Sequence, residues 1–529
     1  MALPLKKPGV YIEEKNAFPG SVIEVATAIP AFIGYTAKAF RKGKSLVNIP
    51  TRITSLAEYL ELFGGSFSPK FSLTLSAKFI KGDKIVSDQD SSEVYSLEIG
   101  EDIYLVTISD NQKLFFYRSI QLFYSNGGGT CYIISVGTYE DTKGIKADDL
   151  LFGLDKLLKE QEPTLVVIPE AVLLKQQSYD IYKQVLIHCD KMQNRFAIFD
   201  LHDGDVANDE TEDNNINRFR KGIGSDNLSY GAVYYPWLNS GIVKKGDVTF
   251  KNLDDSVILS NIFQEPNAKE FLSKSVLPPK DKEEQQRLYK KDKNSNPVNE
   301  NDLEVFIANL EHNFHLGLIA SSPSYSELMD EIRSRINRMP AAPAMAGIYT
   351  AVDNIKGVWK APANVSLNSV INPMVDITYD QQENLNVDAV SGISINAIRT
   401  FPGVGTLVWG GRTLDGNSLD WQYINVRRTI IMLEQSIKLA LRSYVFEPND
   451  ANTWITVKSM IVSFLTEKWK QGALAEYSLE DAFDVQVGLG ATMTALDILE
   501  GKMLVSVKLA IVRPAEFIVV TFQQQMQKS

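Results

Sequence analysis

The sequence predicts a multidomain chain that mixes α/β and α+β folds, and three observations carry that reading. Between residues 131 and 203, three apolar strands, CYIISVG, TLVVIPE and RFAIFDLHD, alternate with two helical stretches, residues 147 to 161 and 178 to 193. Strand and helix in alternation argue for an α/β layer on a mostly parallel sheet. Residues 67 to 123 instead alternate at period two in FSLTLSAKF, EVYSLEI and IYLVTIS, which predicts an inserted all-β piece. The last 110 or so residues pair two helical faces with two β runs, the signature of an α+β domain.

The elements follow in chain order. Pro4, Pro8, Pro19 and Pro30 forbid a long helix at the start, so residues 1–30 read as an extended arm with β-prone runs at Val10–Glu13 and 21–25. AFIGYTA opens a middle α/β domain over 31–66 and 124–344, with Ser55 as N-cap of a short helix ending at Gly64-Gly65. Within it, 203–226, beginning with the acidic run DGDVANDETED, and 278–303, almost free of apolar residues, read as surface loops. A C-terminal domain covers 345–512. One of its helices presents Ile430, Leu433, Ile437 and Leu441, and the next presents Trp454, Val457, Ile461, Leu465 and Trp469 after Asn452 as N-cap. Met503, Val505, Val507, Leu509 and Ile511 then alternate as a strand. Residues 513–529 form a final arm with the β-prone run Phe517, Ile518, Val519, Val520, Thr521, Phe522 before a polar tail.

Composition bounds function. At 529 residues and roughly 150 per domain, three to four domains are expected. Hydrophobic residues at 44% and charged residues at 22% fit a folded globular chain. A net charge of −11 disfavours a dedicated nucleic-acid binder. Two cysteines, Cys131 and Cys189, exclude a disulfide framework and a four-thiolate zinc site. There is no signal-peptide pattern at the N-terminus and no apolar run long enough for a membrane span, so synthesis and folding in the cytoplasm are expected.

Catalytic and cofactor chemistry finds no support. Four histidines exist; His312 and His315 share a helical spacing but lack a third ligand. Asp203, Asp205 and Asp209 resemble part of a calcium loop, but Ala207, Asn208 and Asn214 occupy the positions that would complete it. The Gly127-Gly128-Gly129 and Gly403–Val408 segments lack the lysine or third glycine of phosphate-binding loops and run into strands, so they read as turns. No catalytic, cofactor or metal residue is assigned. What remains is β-prone text at both ends, which either pairs within its own chain or completes the sheet of a neighbouring molecule.

Several blocks favour the second alternative. GVYIEE, TAIPAFIGYT, FYSNGGGTCYIISV, YGAVYYPWL, AGIYTAVDNIKGVWKAPANV, FPGVGTLVWGGRTL, YINVRRTI, FEPNDANTWITVKSMIVSFLTEKWKQGAL and RPAEFIVVTF together resemble the sheath subunit of contractile phage tails and related injection particles. They run from residue 9 to residue 522 and leave the 67–123 insertion and both loops uncovered. Val404 and Gly411 depart from residues common in that family. The resemblance implies a structural protein, not an enzyme, that stacks as hexameric rings in a helical sheath around an inner tube and contracts, with baseplate and terminal cap proteins as further partners. It implies no cofactor, nucleic acid or membrane insertion, and a place in a phage tail or an extracellularly released particle. Val10, Tyr11, Ile12 and Glu13 become the donated N-terminal strand, Phe517 to Phe522 the C-terminal one, and Met503, Val505, Val507, Leu509 and Ile511 the receiving sheet. Pro19, Gly20, Arg513 and Pro514 interrupt β text beside a body domain and are hinge candidates. Lys458, Lys468 and Lys470 are candidates to face the tube from the C-terminal domain, and the insertion is expected to face outward. A membrane-anchored secretion sheath and, from another class, an α/β enzyme are the competing readings.

Overall fold

A computed structural model describes residues 22–75, 95–99, 102–140, 144–208, 213–293 and 299–520. The chain divides into two compact units. The larger comprises Ala28–Ala351 and Pro362–Gln422, and the smaller comprises Met1–Thr27, Val352–Ala361 and Tyr423–Ser529.

The larger unit is built on a nine-stranded sheet. Its strands, in chain order, are β1 (Pro30–Thr36), β2 (Thr51–Ile53), β3 (Cys131–Thr138), β4 (Leu165–Val167), β5 (Phe196–Asp200), β6 (Gly231–Tyr235), β7 (Val365–Ser366), β8 (Asn396–Phe401) and β9 (Gly405–Val408). They lie in the order β7-β9-β8-β6-β5-β4-β1-β3-β2. The strands from β8 to β3 run parallel, while β2, β7 and β9 pair antiparallel at the edges. Central strands covered on both faces need continuous apolar text, and every residue of PAFIGYT is buried. At Gly34 an added Cβ would lie 2.2 Å from the Phe116 ring, so only glycine lets helix α1 (Phe116–Ser125) reach the sheet.

Three sequence expectations change here. Residues 67 to 123 are not wholly β: Phe71–Leu75, Tyr95–Ile99 and Asp102–Ile108 form an antiparallel three-stranded sheet, but Phe116 to Phe123 lie in α1. Phe116, Ile120 and Phe123 recur at helical spacing and are buried. The small sheet does not make a core alone either. Phe71, Leu97 and Val106 pack in one cluster with Phe263, Phe314, Leu318, Tyr325 and Leu328 from helical text. Both expected loops contain helix. Asn214 caps α2 (Asn215–Ile223), which buries Ile216, Phe219 and Ile223. Helix α3 (Lys282–Lys293) forms because Lys, Glu, Gln and Arg are good helix formers, and Tyr289 anchors it against Phe306.

The expected boundary at residue 345 also shifts. It falls inside helix α4 (Ala342–Lys356), and residues 365–408 contribute β7, β8 and β9 to the large sheet because Tyr234 and Tyr235 pair with Asn396 and Ala397.

The smaller unit contains helices α5 (Ile424–Leu441) and α6 (Ala451–Lys470) and a two-stranded antiparallel sheet of β10 (Phe483–Val487) and β11 (Val505–Leu509). Asp450, not Asn452, caps α6, its carboxylate accepting the Asn452 and Thr453 amides at 3.0 Å each. Leu433, Ile437, Val457, Ile461 and Leu465 form the core with Phe483 and Val485, and Val505, Val507 and Leu509 cover it from β11.

Candidate assembly interface

The strand text at 503–511 forms the predicted kind of element. Val505, Val507 and Leu509 face the helices while Ser506 and Lys508 are exposed, so one face of the sheet is anchored. The register sets Phe483 opposite Leu509, Val485 opposite Val507 and Val487 opposite Val505. Met503 lies outside β11 but packs on the same core, and Ile511 makes an isolated bridge to Leu474. A two-stranded sheet is marginal alone, and packing on helices stabilises it. Among the described residues no third strand joins this sheet, although residues 473–475 bond to the chain at 510–512; an uncovered strand edge presents backbone groups to further strands.

Beyond Ile511 the chain holds no regular structure as far as residue 520. The Asn425 amide donates to the Val512 carbonyl (2.9 Å), and the Tyr423 hydroxyl donates to the Glu516 carboxylate (3.2 Å). Arg513 and Pro514 sit between these two tethers. Past the second tether, Phe517, Ile518, Val519 and Val520 are 72, 79, 89 and 65% exposed. Four consecutive large apolar side chains in water oppose the usual burial of such residues. Thr521 and Phe522 lie outside the described residues, as do Val10, Tyr11, Ile12, Glu13, Pro19 and Gly20.

The root of the N-terminal arm is described, and it is held by polar contacts that sequence reading missed. The Val25 amide donates to the Ser436 hydroxyl (3.1 Å). The Thr27 hydroxyl donates to Asp353 Oδ2 (2.5 Å), and Arg428 Nη2 donates to the Thr27 carbonyl (2.9 Å). Glu24 pairs with Lys468. The one available signal was the pair Arg427-Arg428 inside otherwise apolar helix text, which marks buried charge needing a partner.

Lys468 therefore corrects the expected cationic surface. Its side chain is 3% exposed, it donates to Gln471 Oε1 (2.9 Å) as well as to Glu24, and it lies beside the Trp359 and Phe464 rings. Lys458 and Lys470 are exposed on α6. His315 is buried, its Nδ1 sharing a hydrogen bond with the Tyr325 hydroxyl (2.8 Å), and burial holds its pKa below the ordinary histidine value. Among the described residues no group of three potential metal ligands is clustered, and no helix is long and apolar enough to cross a membrane.

The sequence of residues 417–525 matches the phage tail sheath C-terminal domain. Over 157 residues the chain is 27% identical to the tail sheath protein of Vibrio phage KVP40, and over 154 residues 26% identical to that of Salmonella phage ViI. These matches span 29% and 28% of this chain, and only 23% and 24% of the phage proteins. Likeness to solved structures extends along the whole chain. A sheath complex of an extracellular contractile injection system, PVC, in its contracted state is 26% identical, with 99% of each chain covered and a TM-score of 0.58. Along its whole length the chain is therefore similar to contractile sheath proteins. The contracted helical sheath of the anti-feeding prophage matches comparably, at 26% identity and a TM-score of 0.58, over 98% of this chain and all of that one. The mixed α/β architecture is thus that of contractile sheath proteins.

Proposed function

We propose that the chain is the structural subunit of a contractile injection sheath, polymerising as stacked hexameric rings around an inner tube and driving that tube through a target envelope on contraction. The observation that carries this reading is the tail at Phe517–Val520, apolar, exposed and in no ladder among the described residues, in the same unit as a sheet to which no third described strand is added. Strand addition satisfies both. On this reading Val10–Glu13 and Phe517–Phe522 are donated to neighbouring copies, β10 and β11 receive strands, and a head-to-tail contact that does not close produces the filament.

Rigid-body movement of subunits, with the strands holding the mesh together, supplies contraction without catalysis. Arg513-Pro514, placed between two tethers, and Pro19-Gly20 are the joints. Lys458 and Lys470 are the remaining candidates to meet the tube, through weak screened pairs suited to release. The three-stranded piece within 67–123 faces outward. Baseplate and cap proteins close the ends, and the particle is a phage tail or a released injection particle. Similarity to the anti-feeding prophage baseplate, at 26% identity, supports the baseplate contact.

Deletion of residues 1–14 tests the donated arm. A folded, soluble subunit that forms no tubes in negative-stain micrographs is expected; tubes of normal length from this variant refute strand donation.

A further inference from the structure

The larger unit holds a cavity of about 140 Å³ where the three-stranded piece meets the carboxyl ends of β5 and β6. Crevices beyond the carboxyl ends of parallel strands are the general ligand position of open α/β sheets. Lys113, Arg118, Lys175, Arg335 and Arg338 line this wall, with His202, which burial keeps below the ordinary histidine pKa, and the carboxylates of Asp110, Asp203 and Asp205.

Most of the cations are already compensated. Lys113 and Lys175 reach Asp110 (2.8 and 3.9 Å), His202 reaches Asp203 (3.1 Å), Arg335 reaches Glu331 (2.8 Å) and Arg338 reaches Asp205 (3.9 Å). Arg118 is the exception. Its side chain is 5% exposed, Nη2 donates to the Leu114 carbonyl (2.7 Å), Nε is buried without an acceptor, and no carboxylate is paired with it among the described residues. Glu170 acts on it through space without pairing with it: Oε1 is taken by the Phe115 and Phe116 amides, and Oε2 is buried with no hydrogen-bond partner among the described residues. Burial also pushes the Glu170 carboxyl up to about 7, which favours its neutral form. An unpaired guanidinium out of water is costly, and an anion at hydrogen-bonding distance removes that cost.

We propose that this cavity binds a small multiply charged oxyanion, of the phosphate or dicarboxylate class, on Arg118 with Lys113, Lys175 and Arg338 around it. Nothing in the assembly role requires such a site. Its occupant pairs with Arg118 on the seam between the three-stranded piece and the sheet, so it stiffens that seam.

The test is isothermal titration calorimetry on the full-length, unassembled subunit at pH 7.5, with inorganic phosphate in one arm and succinate in the other. Sodium chloride of matched ionic strength is the control. Saturable binding in either arm is expected, the tighter arm assigning the class. Arg118→Met should weaken it at least about tenfold, and Lys175→Met, on the exposed rim, about threefold. Absence of saturation in both arms overturns the proposal. So does unchanged affinity in Arg118→Met; should that variant not fold, unchanged affinity in Lys175→Met does the same.

Discussion

Arg428 and Asp353 meet fork to fork, Nη1 to Oδ1 at 2.9 Å and Nη2 to Oδ2 at 2.6 Å, with each side chain 3% exposed. The pair ties α5 to the end of α4 and, through Thr27, to the root of the N-terminal arm. A buried pair of this geometry is strongly destabilising to break from one side. Asp353→Ala is expected to cost roughly 3–5 kcal/mol in urea unfolding of the unassembled subunit. The double variant Asp353→Leu/Arg428→Met, which leaves no stranded charge, should recover most of that loss. A single-variant cost under about 1 kcal/mol contradicts the assignment of this pair as the clasp of the arm.

Lys468 and Lys458 lie on one helix and should behave oppositely. Lys468→Ala strands the Glu24 contact and opens space beside Trp359 and Phe464, so a loss of about 1–3 kcal/mol is expected. Lys458→Glu and Lys470→Glu change exposed positions and should leave unfolding within about 0.5 kcal/mol of the parent. If they meet the tube, salt-dependent co-sedimentation with tube protein is where these two variants fail. Equal stability losses at 458 and 468 refute the distinction.

Much of the larger unit was legible because its signals are local. The strands around PAFIGYT, CYIISVG and RFAIFD are continuous apolar runs between helices, and they form the parallel centre of the sheet. What failed was set by partners distant in sequence. Residues 396–401 read as part of a C-terminal domain, yet β8 joins β6 across more than 150 residues, a pairing no local pattern encodes. Lys282–Lys293 has too few apolar residues to show a face, and a single tyrosine packed on a later helix holds it. In the candidate interface, alternation revealed β11. The burial of Lys468 could not be read from α6, because its partner Glu24 is more than 400 residues away.

The C-terminal tail can be tested without touching the body. Val519 is 89% exposed and has no strand partner among the described residues. Proline there removes one amide donor and the freedom of φ, which matters only when residues 517–520 enter a ladder. Val519→Pro is expected to unfold at the same urea concentration as the parent and to yield few or no tubes by electron microscopy. Normal tube formation shows that this segment donates no strand.

Two buried carboxyls set a pH dependence whose sign is unusual for acids. Glu170 accepts the Phe115 and Phe116 amides and Asp200 accepts those of Ala341 and Ala342 at the start of α4, contacts that favour ionisation. Burial outweighs them and pushes each carboxyl up to about 7, from 4.5 for Glu170 and 3.8 for Asp200. Between those limits the folded chain keeps protons that the unfolded chain has released. Their contribution to stability is therefore greatest in acid, falls as pH rises from about 4 to about 7, and is flat above. Each group's slope is at most about 1.4 kcal/mol per pH unit. Glu170→Gln and Asp200→Asn keep the accepting oxygens but do not titrate. Urea unfolding at pH 4.5 to 8 should show each variant gaining stability relative to the parent as pH rises, with the difference levelling above pH 7. A parent-minus-variant difference that is constant over this range shows that both carboxyls ionise normally in the folded chain.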